Sequence, residues 1–318
     1  MTMNGSVKEL RSEAAMRRTT GRLSGIARME RNWGILFALP AILGFFIFVF
    51  GPMIASLIIS LTNWSIGSDV KFIGFGNYHH MVTQDELFSK SLFVTLYYAL
   101  GSVPLGIIFS FIIAMLLNQK VRGLAVFRTI YYLPVLVPSI ANSMLWLWLF
   151  NPEFGLFNSV LSTVGLPGSQ WIYSENTAIP SLIIMSTWGV GNAAVIFLAG
   201  LQGVPGHLYE AVVVDGGGAF RKFWHVTLPS MTPTIFFNLI MAVIGSLQVF
   251  DQAYVMTNGG PSNATLFYIF YLYRKAFTET QMGYASALAW ILFLMIMALT
   301  ALVFRSSRFW VYYEGEGK

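Results

Sequence analysis

The chain contains no cysteine in its 318 residues, and only 10% of them are charged. The first absence removes disulfide frameworks, thiolate metal sites and cysteine nucleophiles. The second sets the chain apart from ordinary soluble domains, in which about a quarter of the residues carry charge. Other chemistry is missing as well. No G-x-x-x-x-G-K-[ST] stretch occurs; the nearest, Gly217-Gly218-Ala219-Phe220-Arg221-Lys222, has neither the spacing nor the terminal hydroxyl. His79, His80, His207 and His225 share no metal-ligand spacing, and there is no nucleophile–base constellation. The expectation is a chain that holds no metal and no cofactor of its own and catalyses no covalent step.

What the chain has in abundance is apolar surface. It is 56% hydrophobic, with a mean hydropathy of +0.64, in runs too long for one soluble core. Six stretches reach the roughly 20 residues that a membrane helix needs: 33–61, 91–117, 129–150, 178–201, 234–256 and 284–304. The fold class expected is an all-α membrane protein with six transmembrane helices. Pro40 and Pro52 in the first span, and Pro134 and Pro138 in the third, predict kinks because each removes a backbone donor.

A net charge of +5 and a pI near 9.4 would suit nucleic acid, but the placement of the charges makes membrane orientation the better account. If the N-terminus is inside, 15 of the 19 Lys and Arg fall on the inner side. They are Lys8, Arg11, Arg17, Arg18, Arg22, Arg28 and Arg31, then Lys120, Arg122 and Arg128, then Arg221 and Lys222, then Arg305, Arg308 and Lys318. Lys71, Lys90, Arg274 and Lys275 fall outside. The asymmetry predicts a basic cytoplasmic tail over 1–32, a membrane domain over 33–304 and a cytoplasmic tail over 305–318. A cleaved signal peptide is not expected, because the first apolar run exceeds an h-region.

The stretch 205–233 lies between spans four and five, on the inner side. Pro205 suits a first helical turn, and Leu208 to Asp215 makes about two turns, too short to cross a bilayer. Its valines facing water would mark a protein interface. A helix lying on the lipid surface, or packed on its own bundle, fits the same spacing. Gly216, Gly217 and Gly218 follow as a hinge; a phosphate cradle would need a preceding strand.

The order Glu210-Ala211-Val212, Gly216, nine residues, Val226-Thr227-Leu228-Pro229 resembles the EAA loop of permease subunits in ATP-binding-cassette importers. That loop reads E-A-A, three residues, G, nine residues, I-x-L-P, so Val212 and Val226 are the departures. Tyr209, Asp215, Phe223-Trp224, Phe250-Asp251-Gln252-Ala253-Tyr254, Asn258-Gly259-Gly260-Pro261 and Met282-Gly283-Tyr284-Ala285-Ser286-Ala287 resemble the maltose, multiple-sugar and glycerol-phosphate branch. The likeness runs from about Asn32 onward.

The resemblance implies a type I importer permease whose loop docks on a cytoplasmic ATPase dimer. Glu210, Ala211, Asp215, Gly216, Leu228 and Pro229 would be the coupling residues, with Glu210 paired to a basic group of the ATPase and Gly216 as the hinge. It also implies ATP and Mg in the ATPase and none in this chain, and a second, different permease subunit. An extracytoplasmic solute-binding protein and a bacterial or archaeal cytoplasmic membrane complete the expected setting. The substrate implied is a sugar or oligosaccharide, with a glycerol-phosphate-like solute as its rival; a stand-alone channel or secondary carrier is the competing class, without an inverted hydropathy repeat to support it. Polar residues inside spans are costly and face a cavity or a helix partner. Asn142, Trp146, Asn192, Asn238, Gln248, Asp251 and Gln252 are therefore the candidates for a substrate path. Bonding between helices is the other use for such amides, and an interfacial position the other use for Trp.

Overall fold

The computed structural model describes residues 25–119 and 121–312, with side chains from Met29 onward. Lys8, Arg11, Arg17, Arg18, Arg22, Lys120 and Lys318 lie outside the described residues, as does the side chain of Arg28. The chain divides into two compact units, 1–58 and 59–318. Among the described residues there is one isolated β-bridge, Thr62 to Phe72; the rest of the regular structure is helical.

The first unit is dominated by helix α1 (Gly25–Phe45), a π turn over Phe46–Phe50 and the start of α2 (Gly51–Ser60). Its apolar side chains are exposed all round, Phe37 and Phe48 by 79% and 78%. A helix that is apolar on every side needs lipid or other protein around it. Pro40 leaves the helix unbroken; the distortion comes just before Pro52, where the Gly51 N–H reaches back to the Phe46 carbonyl.

In the second unit α3 (Gly76–Thr83) leads to α4 (Glu86–Leu117), around which the unit is packed. Helix α5 (Leu124–Leu136) and α6 (Ser139–Leu149) meet at 99°, far sharper than a kink. Val137 is extended because it precedes Pro138, and a residue before proline is driven out of the helical region. After α7 (Leu156–Thr163), helix α8 (Ala178–Ser186) continues as a 3-10 turn to Gly189 and then bends 47° into α9 (Gly191–Gly203). Helix α10 (Gly206–Val214), α11 (Ala219–Lys222), α12 (Leu228–Leu247), α13 (Tyr268–Tyr273) and α14 (Met282–Trp310) complete the order. Among the described residues, four helices are long and apolar enough to cross a membrane, and two bent pairs join them as candidates.

Two expected boundaries change. Span five was expected over 234–256, but the helix runs from Ala219 to Leu247. Its polar first turns, with Arg221, Lys222 and His225, continue the helix beyond the apolar stretch, and Gln248 ends it. Likewise α14 runs on to Trp310, six residues into the expected tail, and the Tyr312 N–H donates to Thr232 Oγ1 at 2.9 Å.

The two ends of α4 are held differently. At its N-terminus Asp85 caps the helix, accepting from Leu87 and Phe88 N–H at 3.0 and 3.1 Å. Its other oxygen accepts the hydroxyls of Tyr271 and Tyr284. Burial alone raises the Asp85 carboxyl; the two tyrosines, the Phe88 N–H and the charge of Lys275 outweigh it and hold the group below its ordinary value. Thr95 Oγ1 accepts the Tyr268 N–H at 2.9 Å, and the Tyr268 hydroxyl donates to Leu288 O at 2.9 Å. At the other end a smaller core forms from Phe111, Ala114, Leu117, Phe197, Leu198, Leu201 and Met231.

Candidate functional site

Helix α10 follows Pro205, which is extended (φ −61°, ψ 128°) and leaves the helix to start at Gly206. The helix closes in a Schellman motif: the Gly216 N–H bonds Val213 O at 2.9 Å and the Gly217 N–H bonds Val212 O at 2.7 Å. Gly216 sits at φ +75°, a region that strains any residue with a Cβ. Gly217 is required by space, since a Cβ there would stand 2.5 Å from Val212 Cγ1 and 2.9 Å from the Val212 carbonyl. The chain then re-enters helix at Ala219, passes a π turn over Phe223–Thr227 and continues as α12. Residues Ala219–Leu247 therefore form one rod of 29 residues. Leu228 and Pro229, expected among the coupling residues, are half-buried inside that rod, where the Leu228 N–H bonds Phe223 O in the π register.

One face of α10 is attached to the rod. The Tyr209 hydroxyl lies 3.1 Å from Thr227 Oγ1, Leu208 and Val212 are half-buried, and Phe223 packs tilted against Phe111 at 6.3 Å. The other face is open. Glu210, Ala211, Val213, Val214 and Asp215 are exposed, Val214 by 87%, and so are Phe220 and Trp224 just beyond. Neither Glu210 nor Asp215 forms an ion pair among the described residues. Asp215 also stands at the C-terminal end of its helix, where a negative charge opposes the helix dipole. Valines and aromatics beside two unpaired acids suit a complementary protein surface better than water.

A polar cavity of about 360 Å³ lies further along the rod. Tyr98 and Ser102 of α4, Ser186 and Gly189 at the α8 bend, Ser246 of α12 and Gln252 line it. Gln252 was among the expected path residues. The others lie elsewhere. Asn142 is half-buried on α6, and Trp146 is buried against Phe150, Phe157 and Trp188, its Nε1 without a partner among the described residues. Asn238 donates to Thr234 O at 2.9 Å within its own helix. Asn192 and Gln248 are exposed, and Asp251 is half-buried beyond the end of α12. Tyr98, Ser102, Ser186 and Ser246 escaped the sequence because single hydroxyls in apolar helices commonly bond their own backbone. The i, i+4 spacing of Tyr98 and Ser102 was the available signal. Among the described residues no group of His, Asp and Glu is arranged to hold a metal.

Residues 102–310 match the family described as "Binding-protein-dependent transport system inner membrane component". The probable ABC transporter permease protein YesP of Bacillus subtilis (strain 168) is 39% identical, over 91% of this chain and 94% of that protein. The multiple sugar-binding transport system permease protein MsmF of Streptococcus mutans is 31% identical, over 88% of this chain and 97% of its own length. A solved bacterial alginate ABC transporter shares the fold, with a TM-score of 0.77, 24% identity and coverage of 88% and 96%. A multi-pass chain of apolar helices, with a helical element closed by a glycine turn and a polar cavity on the same rod, thus belongs to the inner-membrane permease components of binding-protein-dependent transport systems.

Proposed function

We propose that the chain is one of two different membrane subunits of an ATP-driven importer for a sugar or oligosaccharide. Six spans cross the cytoplasmic membrane of a bacterium or archaeon, with both termini inside. The 205–233 element docks in a groove on a separate ATPase dimer, which binds ATP and Mg; this chain performs no covalent chemistry. An extracytoplasmic solute-binding protein delivers the substrate, and Tyr98, Ser102, Ser186, Ser246 and Gln252 form this chain's wall of the path. The names of relatives such as MsmF support the sugar class.

The observation that carries the proposal is a mechanical connection. The exposed helix with Glu210 joins the rod through one glycine turn, and Gly245 and Ser246 at the far end of that rod line the polar cavity. With no loop inside the rod, displacement of α10 by a closing ATPase dimer moves the cavity wall. Glu210 gives the ATPase a charged handle, and breaking a buried interfacial pair costs about 2–5 kcal/mol. The test is reconstitution of the whole complex in proteoliposomes. ATP-dependent sugar uptake that requires added binding protein is expected, and Glu210→Ala should lower uptake by roughly thirtyfold, the scale of about 2 kcal/mol, while ATP hydrolysis and membrane insertion persist. Uptake by Glu210→Ala at the parent rate and abundance would reject the coupling assignment.

A further inference from the structure

A second cavity of about 470 Å³ lies between the end of α4, α5 and α9, and it shares no lining residue with the polar cavity. Its wall is graded along α5. Arg128 and Thr129 stand at one end, Tyr131 and Tyr132 follow, and Leu133 and Leu136 complete it. From Arg128 to Leu136 the helix rises about 12 Å. Helix α9 faces this wall with Ala194, Val195 and Leu198. Thr129 is spent locally, its hydroxyl donating to Ala125 O at 3.0 Å. Arg128 is exposed and forms no ion pair among the described residues. No carboxylate occurs in 87–152 or in 176–209, the stretches that build the cavity. A cation at the rim of an apolar cavity therefore takes its counter-charge from outside these helices.

We propose that this cavity holds an anionic glycerophospholipid of the inner leaflet, its phosphate on Arg128 and an acyl chain along Leu133, Leu136 and Val195. The inference rests on the orientation proposed above, which puts Arg128 on the cytoplasmic side. The order of the wall carries it: a cation, then two tyrosines, then aliphatic side chains. A leaflet has the same order, with charged headgroups, an interface that favours tyrosine, and hydrocarbon. Basic pockets between membrane helices on the cytoplasmic side recognise anionic headgroups in this way, and the planar guanidinium suits a phosphate. A free phosphate would use Arg128 alone and leave the aliphatic wall unfilled. A lipid uses both ends of the cavity.

The test uses the full complex in detergent and a phosphatidylglycerol with a photoreactive acyl chain. This probe should label the chain within 128–136 or 191–198. Unlabelled phosphatidylglycerol should displace it, whereas phosphatidylcholine with the same acyl chains and inorganic phosphate should not. Arg128→Gln should weaken binding about fivefold, the change that about 1 kcal/mol makes in an equilibrium. Val195→Trp fills the cavity from a side chain that is 47% exposed, and it should lower labelling as well. Arg122→Gln removes another exposed cation, one that does not line the cavity, and should leave labelling unchanged. Equal displacement by phosphatidylcholine, or equal losses in the two arginine variants, overturns the site. So does the absence of lipid labelling there together with a cross-link from Val195→Cys to another membrane subunit. Orientation is read separately: Arg122→Cys labelled by an impermeant maleimide in right-side-out vesicles overturns the sidedness and the leaflet assigned, whatever lipid binds in detergent.

Discussion

The two ends of α4 solve opposite problems. Around Asp85 the chain locks itself: a carboxylate with four donors, Thr95 bonded to Tyr268, and a large aromatic core of Phe150, Phe267, Tyr268, Phe270 and Tyr271. Around Leu117 the core is small, and beyond it the chain leaves Val213, Val214, Phe220 and Trp224 uncovered, with Glu210 and Asp215 in no ion pair among the described residues. Rigid polar networks specify one arrangement, whereas an exposed apolar face needs a partner. The difference teaches where the chain is finished by its own contacts and where it leaves an apolar face uncovered.

Substitutions that break this comparison should separate function from stability. The largest effect is expected at Gly216. A valine there must adopt φ near +75°, which opens the Schellman turn and detaches α10 from the direction of the rod. Uptake by Gly216→Val should fall by on the order of a hundredfold, the scale of about 2.7 kcal/mol, with insertion and ATP hydrolysis retained. Comparable uptake by valine and glycine would show that the turn has no mechanical role.

At the other end, Asp85→Ala should act on stability. It removes a helix cap and leaves two tyrosine hydroxyls without their acceptor, a loss of about 2–3 kcal/mol. Thermal unfolding in detergent should register this directly, while uptake per folded complex stays near the parent value. A fall in specific uptake without a change in unfolding would assign Asp85 to transport instead.

The same carboxylate fixes a pH dependence. Its folded value lies below the unfolded value of about 3.9, so its contribution is present above that pH and is lost as pH falls through the folded value. Stability due to Asp85 should therefore be flat from neutrality to about pH 4 and decline only below it. Subtracting the Asp85→Ala profile isolates this term; a difference that fades between pH 5 and 7 would contradict the assigned shift.

The smallest effect belongs to Tyr209→Phe, which deletes the hydroxyl contact with Thr227 at 3.1 Å. A loss of about 1 kcal/mol in local stability is expected, visible as faster hydrogen exchange over 206–214 with little change at Asp85. Equal changes at both ends would mean that they are not independent.

Much of this was legible from residue types. Apolar length located the helices, and the glycine after Glu210-Ala211-Val212 located the turn, because a positive φ leaves glycine as the natural choice. The helix boundaries were less legible: Arg221, Lys222 and His225 look like loop residues, yet they begin the rod. Pro138 announced a kink, and the residue before it went fully extended, giving a right-angled break. Gly189-Val190-Gly191 gave no clear warning of the second bend. The polar cavity was hidden because four hydroxyls brought together from α4, α8 and α12 have no common spacing in the chain, whereas the amides Asn142, Asn192 and Asn238 drew attention and line neither cavity.

The central claim, that 205–233 is the surface through which an outside ATPase moves this chain, is tested most directly by shielding at Val214. A cysteine placed there is the chain's only thiol, on a side chain that is 87% exposed in the chain alone. In the assembled complex Val214→Cys should resist a water-borne maleimide and cross-link to the ATPase subunit, while Val82→Cys, near the Asp85 end and 76% exposed, should label freely. Free labelling of Val214→Cys in a complex that retains its ATPase, with no cross-link to that subunit, would contradict the account.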